Sequence, residues 1–458
     1  MITDPVDSGT VSFISRRPKA ADREFVSPAV EEFISSIQAQ IADPELAWMF
    51  ENCFPNTLDT TVHFNETGGD GGKPDTFVIT GDITAMWLRD SAAQVWPYLP
   101  LAKSDPHLSR MLQGVINRHT HCILLDPYAN AFLEDPNEKS EWITDHTIMK
   151  PGVHEHKWEI DSLCYPIRLA YHYWKETGDE TPFDAAWEQS MDVVVRTFRE
   201  QQRKDGHGPY YFVRDAPAPD LSKDEAYGLP VKPNGLIYSS FRPSDDATEY
   251  PFLVPANYFA VVSLRQLSEM LQMIRGNAHK AADAESLAKE VSDALSAHAI
   301  QTHESGTDIF AYEIDGLGNS LFIDDAGVPG LLSLPYYGAC STHDPAYVAT
   351  RKFVWSTQNP WYFSGTYSGL GSPHIGPNTI WPMGTIVYAL TSTKEQEVVW
   401  ALKSLKATHA GTGFMHESFE KDNPNDFSRP WFAWVNSLFG ELIVQTLERY
   451  PHLLTQCS

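Results

Sequence analysis

The sequence of 458 residues contains no apolar run that approaches the roughly 18 residues needed to cross a membrane, so no membrane span is expected. Cysteine is scarce: Cys53, Cys122, Cys164, Cys340 and Cys457 are scattered, odd in number and without a C-x-x-C. That excludes a disulfide scaffold and points to free thiols in a reducing compartment. Positive charge is scarce too. There are 34 Lys and Arg against 60 Asp and Glu, a net charge of −26. Proteins that hold nucleic acid engage phosphates through basic side chains, so nucleic acid is excluded as a partner. No G-x-S-x-G elbow and no phosphate-binding P-loop occurs. His119 with His121, and His154 with His156, form two H-x-H pairs on separate stretches with no third ligand at metal spacing. No metal and no cofactor is expected. The opening "MITDPVDSGTVSFISRRPKA" lacks the apolar segment of a leader, and a cytoplasmic location is the expectation. No Ser/Gly linker or low-complexity tract divides the chain. Residues 1–25 are expected to be a flexible arm, and residues 26–458 a single catalytic domain.

What the chain has in quantity is apolar and aromatic side chains: 42% hydrophobic residues, 12% aromatic and 13 Trp. A loose repeat organises them. Six stretches put polar or aromatic residues in front of a strongly apolar helical pattern, about 50 to 85 residues apart. They begin at Arg89 and Asp90, at Glu159 and Asp161, at Asp245, at Asp324 and Asp325, at His374 and Trp381, and at Arg429 and Trp431. Between them lie amphipathic stretches such as "HKAADAESLAKEVSDALSAHAI". Strongly apolar helices belong inside and one-faced helices outside. Six inner and six outer helices make an all-α (α/α)6 toroid, with short loop β-hairpins at segments such as "DTFVIT" and "DIFAYEID". Polar residues at one mouth of the inner ring would form a funnel suited to the end of a saccharide.

In "SSFRPSDDATEYPF", Asp245 and Asp246 stand side by side. Ser244 or Asp245 suits a helix N-cap. The pair also suits glycoside hydrolysis, which needs one carboxyl that keeps its proton and a second carboxylate as base or nucleophile. A neighbouring negative charge helps a carboxyl keep its proton. The second carboxylate is sought in "ATHAGTGFMHESFEKDNPNDFSRPWFAW", which offers Glu417 and Glu420. Glu417, among Phe414, His416 and Phe419, suits a catalytic base.

The motifs "FVITGDITAMWLRDSAAQV", "CILLDPYANAF", "KWEIDSLCYPIRL", "FRPSDDA", "GSPH" and "GTGFMHESF…WFAWVNSLF" occur in this order between about residue 45 and about residue 450. Together they resemble glycoside hydrolase family 125. The resemblance implies a metal-independent exo-α-1,6-mannosidase on an (α/α)6 toroid that acts with inversion. Its substrate would be a mannose-containing oligosaccharide with a non-reducing α-linked mannose, of the N-glycan type. Carried over motif by motif, Asp245 is the general acid and Glu417 the general base. Arg89 and Asp90 would bind mannose hydroxyls, with Arg242, Asp325 and His374 as neighbours. Asp246 would support the site or cap a helix, and Asp161 would line the pocket or cap its own helix. Trp381 would stack on a sugar face or belong to the core. The Pro-rich loop over residues 216–235 precedes the acid, so linkage preference is most exposed to it. The alternatives at this stage are another inverting toroid exo-glycosidase of the α-glucosidase kind, a sugar epimerase with His374 as base, and a mannose-binding lectin without turnover.

Overall fold

The structure is a computed structural model that describes residues 13–215 and 226–456. Among these the chain is mainly α-helical. It runs through α1 (Pro28–Gln38), α2 (Pro44–Cys53), α3 (Asn56–Thr60), α4 (Leu88–Val95) and α5 (Pro106–Leu125). Next come α6 (Ile160–Thr177), α7 (Ala185–Gln201), α8 (Val254–Met273), α9 (Ala278–His298) and α10 (Pro345–Val354). The last are α11 (Pro382–Leu390), α12 (Glu395–Thr408), α13 (Ala433–Arg449) and α14 (His452–Thr455).

Two kinds of helix separate by burial. All residues of α4 are buried, and α6, α8, α11 and α13 are buried through most of their length. In α9 the buried residues Ala281, Ala284, Leu287, Ala288, Val291 and Leu295 mark a single stripe, as the amphipathic pattern requires. The buried helices touch in the order α11, α13, α4, α6, α8. Four of them carry a partner outside: α2 lies on α13, α5 on α6, α9 on α8, and α12 on α11.

The fourth apolar stretch departs from expectation. After Asp324 and Asp325 the chain makes only a 3-10 helix, Leu334–Tyr337, instead of an α-helix. Pro329 and Pro335 supply no amide donors there, and Gly327, Gly330 and Gly338 weaken a helix further. The turn still occupies its place, beside α8.

The helix starts divide in nearly the same way, the outer α12 also lacking a side-chain cap. Ser27, Asp43, Asp105, Asp184, Asn277 and Asp344 cap α1, α2, α5, α7, α9 and α10 with side-chain oxygens. None of α4, α6, α8, α11 and α13 has a side-chain cap. These five are entered from short extended pairings instead. Met86–Trp87 pairs with Ala131–Phe132 ahead of α4, and Val153–Glu155 joins that pair ahead of α6. Phe252–Leu253 pairs with Glu313–Ile314 ahead of α8, and Thr379–Ile380 with Ser418–Glu420 ahead of α11. An isolated bridge joins Gly81 to Phe432 ahead of α13. The hairpins expected at "DTFVIT" and "DIFAYEID" are present: Asp75–Val78 pairs with Val62–Asn65, and Asp308–Phe310 with Ile300–Thr302.

The expected arm over residues 1–25 is corrected in its second half; residues 1–12 lie outside the described residues. From Phe13 onward the chain is fastened down. Trp48 Nε1 donates to the Ile14 carbonyl at 2.7 Å, and Phe25 is buried. Arg17 donates to Asp59 at 2.7 Å and to Glu31 at 3.0 Å. A buried guanidinium with two carboxylate partners cannot belong to a free arm. Of the 216–235 loop, residues 216–225 lie outside the described residues. After them, Lys232 N donates to the Asp315 carbonyl at 2.9 Å.

Asp105 joins two outer helices. Its Oδ1 accepts from His107 N and Leu108 N, while its Oδ2 accepts from Ser27 Oγ, the residue that caps α1. Losing such a cap costs about 1–2 kcal/mol. Asp105→Ala is expected to lower the unfolding midpoint in urea accordingly while leaving turnover at 25 °C unchanged; an unmoved midpoint would show that the cap contributes nothing.

Candidate active site

At the uncapped helix starts lies a cavity of about 380 Å³. Its wall includes Arg89, Asp90, Asp245, His374, Trp381 and Glu417. Six of the nine site residues expected from sequence therefore meet in one place.

Asp245 stands in the turn that separates Phe241 from Ala247, which are bridged to each other. Arg242 N donates to the Asp246 carbonyl at 2.8 Å, and Asp245 N to the Arg242 carbonyl at 2.9 Å. This tight turn holds Asp245 at φ 68°, a left-handed conformation that Asp tolerates better than most residues. It also sends the two adjacent carboxylates apart. Asp245 Oδ1 accepts from Arg89 Nη2 at 3.2 Å and from Asn130 Nδ2 at 3.3 Å. Asp246, almost fully buried, accepts from His374 Nδ1 at 3.0 Å. Neither Asp caps a helix.

Arg89, in the first turn of α4, organises one side of the cavity. Nη1 donates to Glu159 at 2.7 Å and to Asp161 at 3.3 Å, and Nε lies 3.4 Å from Asp90. Asp161 is thus a partner of Arg89 and does not cap α6, whose N-cap residue, Glu159, makes no side-chain cap either. Burial raises the Asp90 carboxyl to about 6, against the pull of Arg89. Burial likewise raises Asp161 and, far more, Glu159. Asp245 is the exception: burial opposes its ionisation, but Arg89 prevails and holds it well below the usual carboxylate range.

Glu417, also on the cavity wall, precedes the strand Ser418–Glu420, which pairs with Asn423–Ser428. Ser428 Oγ donates to its Oε2 at 2.9 Å and Arg429 Nη1 to its Oε1 at 3.3 Å. Arg429 is itself anchored on Asp82 at 2.6 Å. Glu420, the other acid considered from sequence, does not line the cavity and accepts from the Asp422 amide.

Three expected site residues do not reach the wall. Arg242 is drawn back by Glu313 at 2.6 Å. Asp246 is turned to His374, as above. Asp325 is buried beside Arg242 and accepts from Gly327 N at 2.7 Å; burial raises it to about 6 against Arg242. They brace the wall from behind. Sequence reasoning missed Trp87, Ser428, Phe432 and Trp434 on the wall, and Glu159 behind it. Trp87 directly precedes "LRDS", and Phe432 and Trp434 alternate around the start of α13, so entry positions of apolar helices carried the signal. Trp381 is both lining and core, and its Nε1, like that of Trp87, is buried without a hydrogen-bond partner among the described residues.

The arrangement is that of a carboxylate-based glycosidase: two acids from separate repeats across a cavity walled by indoles and hydrogen-bonding groups. Comparison with known proteins makes this specific. The family described as metal-independent alpha-mannosidases, glycoside hydrolase family 125, matches residues 43–444. The chain belongs to this family and is a glycoside hydrolase. The meiotically up-regulated gene 157 protein of Schizosaccharomyces pombe is 42% identical, over 98% of this chain and 91% of that protein. A metal-independent alpha-mannosidase of Streptococcus pneumoniae, solved in a non-productive complex with alpha-1,6-mannobiose, is 40% identical. It superposes with a TM-score of 0.88 over 93% of this chain and all of that one. A bacterial glucoamylase bound to acarbose shares the fold, with a TM-score of 0.54 at 12% identity over 93% of this chain and 59% of that one.

His374 provides a check on this geometry. Burial disfavours its charge, but the Asp246 hydrogen bond and nearby carboxylates raise the imidazole to about 9. The charged pair therefore supports the fold fully below its ordinary 6.5 and loses that support as pH rises through about 9. In Asp246→Asn, NMR titration is expected to show the imidazole falling back toward 6.5; a titration unchanged from wild type would contradict the pairing.

Proposed function

We propose that this alpha-mannosidase is an inverting exo-α-1,6-mannosidase, with Asp245 as general acid and Glu417 as general base. The observation that carries the proposal is that these two carboxylates, from the turn before α8 and the strands before α13, line one cavity. Its volume of about 380 Å³ suits a chain end rather than the interior of a polysaccharide, which favours exo action. The α-1,6 preference is supported by the mannobiose held by the Streptococcus pneumoniae relative. Mannose-terminated oligosaccharides of the N-glycan type are the proposed substrate.

In this reading the buried helices and the Leu334–Tyr337 turn form the inner ring of an (α/α)6 toroid, around which the outer helices pack. The neighbour order of the helices supports it. Arg89 and Asp90 hold mannose hydroxyls; the Asp90 Oδ2, near Arg89 Nε, is buried without a hydrogen bond among the described residues and is suited to accept one. Trp381 packs against the sugar. Arg429 and Ser428 fix both oxygens of Glu417, which takes a proton from water as the water oxygen attacks C1. The C1–O bond breaks, and Asp245 delivers a proton to the departing oxygen. Residues 13–456 are proposed to act as one catalytic unit. Cys53, Cys122, Cys164 and Cys340 are unpaired, which supports a reducing, cytoplasmic setting. No helix among the described residues is long and apolar enough to cross a membrane.

General acid catalysis contributes about 10²–10⁴-fold, and most where the leaving group is poor. Asp245→Asn should therefore lose activity on α-1,6-mannobiose by about that factor and far less on dinitrophenyl α-mannoside. Equal losses on the two substrates would remove Asp245 from the role.

A further inference from the structure

Arg89 keeps Asp245 ionised, yet an acid must carry a proton when the glycosidic bond breaks. Glu159 supplies what is missing. It lies at the entrance to α6, fully buried, and reaches no part of the cavity wall. Its Oε2 accepts from Arg89 Nη1 at 2.7 Å and from Ser162 Oγ at 2.8 Å. The other amine of the same guanidinium holds Asp245, so Arg89 clasps the two carboxyls together. Glu159 Oε1 is different. It is buried and receives no hydrogen bond from any donor among the described residues.

An ionised carboxylate only accepts hydrogen bonds, so ionised Glu159 would strand that oxygen away from water. The neutral acid strands nothing, because its O–H can donate to Asp245, the other carboxyl held by the same guanidinium. The groups that face Glu159 agree. Arg89 from α4 favours its charge, while Asp161 from its own helix and Asp245 from the 241–247 turn oppose it. Tyr210 is buried and neutral beside it, and burial raises that phenol too. Lys157 and His374 act on Asp245 instead, and keep it the ionised member.

We propose that Glu159 is held as the neutral acid, donates to Asp245, and is the positioning residue from which Asp245 draws the proton it delivers to the leaving oxygen. The proposal rests on Asp245 being the general acid. As the C1–O bond lengthens, the Glu159 proton moves to Asp245 and Asp245 passes it on to the departing oxygen. Glu159 is left ionised. The water proton taken by Glu417 returns to solvent, and solvent restores one to Glu159 through Asp245, so charge and protons balance over the cycle. Two adjacent carboxyls sharing one proton explain how an Asp beside an arginine can act as an acid near neutral pH.

The test is Glu159→Gln, which keeps shape and a donor toward Asp245 but has no proton to give. On α-1,6-mannobiose kcat should fall by about 10²-fold or more, and on dinitrophenyl α-mannoside by far less. The alkaline limb of kcat/KM should move to lower pH, since Asp245 alone titrates low. Glu159→Asp, which retains an acid, should recover part of the activity and of the limb. A second readout needs no turnover: at neutral pH the wild-type minus Glu159→Gln infrared difference spectrum should show the loss of one protonated-carboxyl band. An unmoved alkaline limb, or a difference spectrum with no lost protonated-carboxyl band, overturns the proposal. If Asp245→Asn shows its leaving-group split while Glu159→Gln does not, only the role of Glu159 falls; if Asp245→Asn shows no split, the assignment of the acid itself falls.

Discussion

One guanidinium surrounded by four carboxylates sets the chemistry of this cavity. Arg89 touches Asp90, Glu159, Asp161 and Asp245, and is itself almost fully buried. Two unit charges about 4 Å apart interact by about 4 kcal/mol at an effective dielectric of about 20. Four full negative charges around a single positive one cannot all persist out of water. The cluster resolves this by sorting its members. Glu159, fully buried, is pushed furthest up; Asp90 sits near 6; Asp245, which borders the cavity and feels Lys157 and His374 as well, stays ionised. Environments that drive neighbouring carboxyls apart are the usual means by which a glycosidase assigns its acid.

The fold makes that cluster possible by where it spends its caps. Most helices on the outside, α12 excepted, begin with Asp, Asn or Ser side chains bound to their own free amides. The buried helices begin without such caps and are aligned by two- and three-residue strand pairings. This frees their first residues for the cavity: Trp87, Arg89 and Asp90 at α4, Trp381 and Met383 at α11, Phe432 and Trp434 at α13. Glu417 is held by different means. Its strand is paired on both sides, and Arg429, anchored on Asp82, fixes it from the far wall. The two carboxylates thus have independent supports, one helical and one from the strands.

Much of this was legible in the sequence, for physical reasons. The contrast between apolar and one-faced helices follows from composition along the chain, and α4, α6, α8, α11 and α13 stand where it puts them. Asp245 and Glu417 could be located because each precedes such a helix. The fourth repeat was misread because its apolar content masked Pro329 and Pro335, which stop an α-helix whatever the hydropathy. Residues 13–25 were misread because their anchors, Asp59, Glu31 and Trp48, lie up to several tens of residues away and leave no local trace. Arg242, Asp246 and Asp325 lie in the right layer but one step back, since a sequence does not reveal which of two adjacent acids a tight turn sends inward. Glu159 was noted only as a member of a repeat. Its significance lies in an unpartnered oxygen, which only side-chain geometry exposes.

The central claim is that Asp245 and Glu417 act from opposite sides of the sugar, one on the leaving oxygen and the other on water. The anomeric configuration of the first product tests it most directly. Proton NMR of α-1,6-mannobiose hydrolysis, followed before mutarotation mixes the anomers, is predicted to show the newly released terminal mannose appearing first as β-mannose. Its first appearance as α-mannose would mean that Glu417 attacks carbon instead of activating water, and would contradict the account.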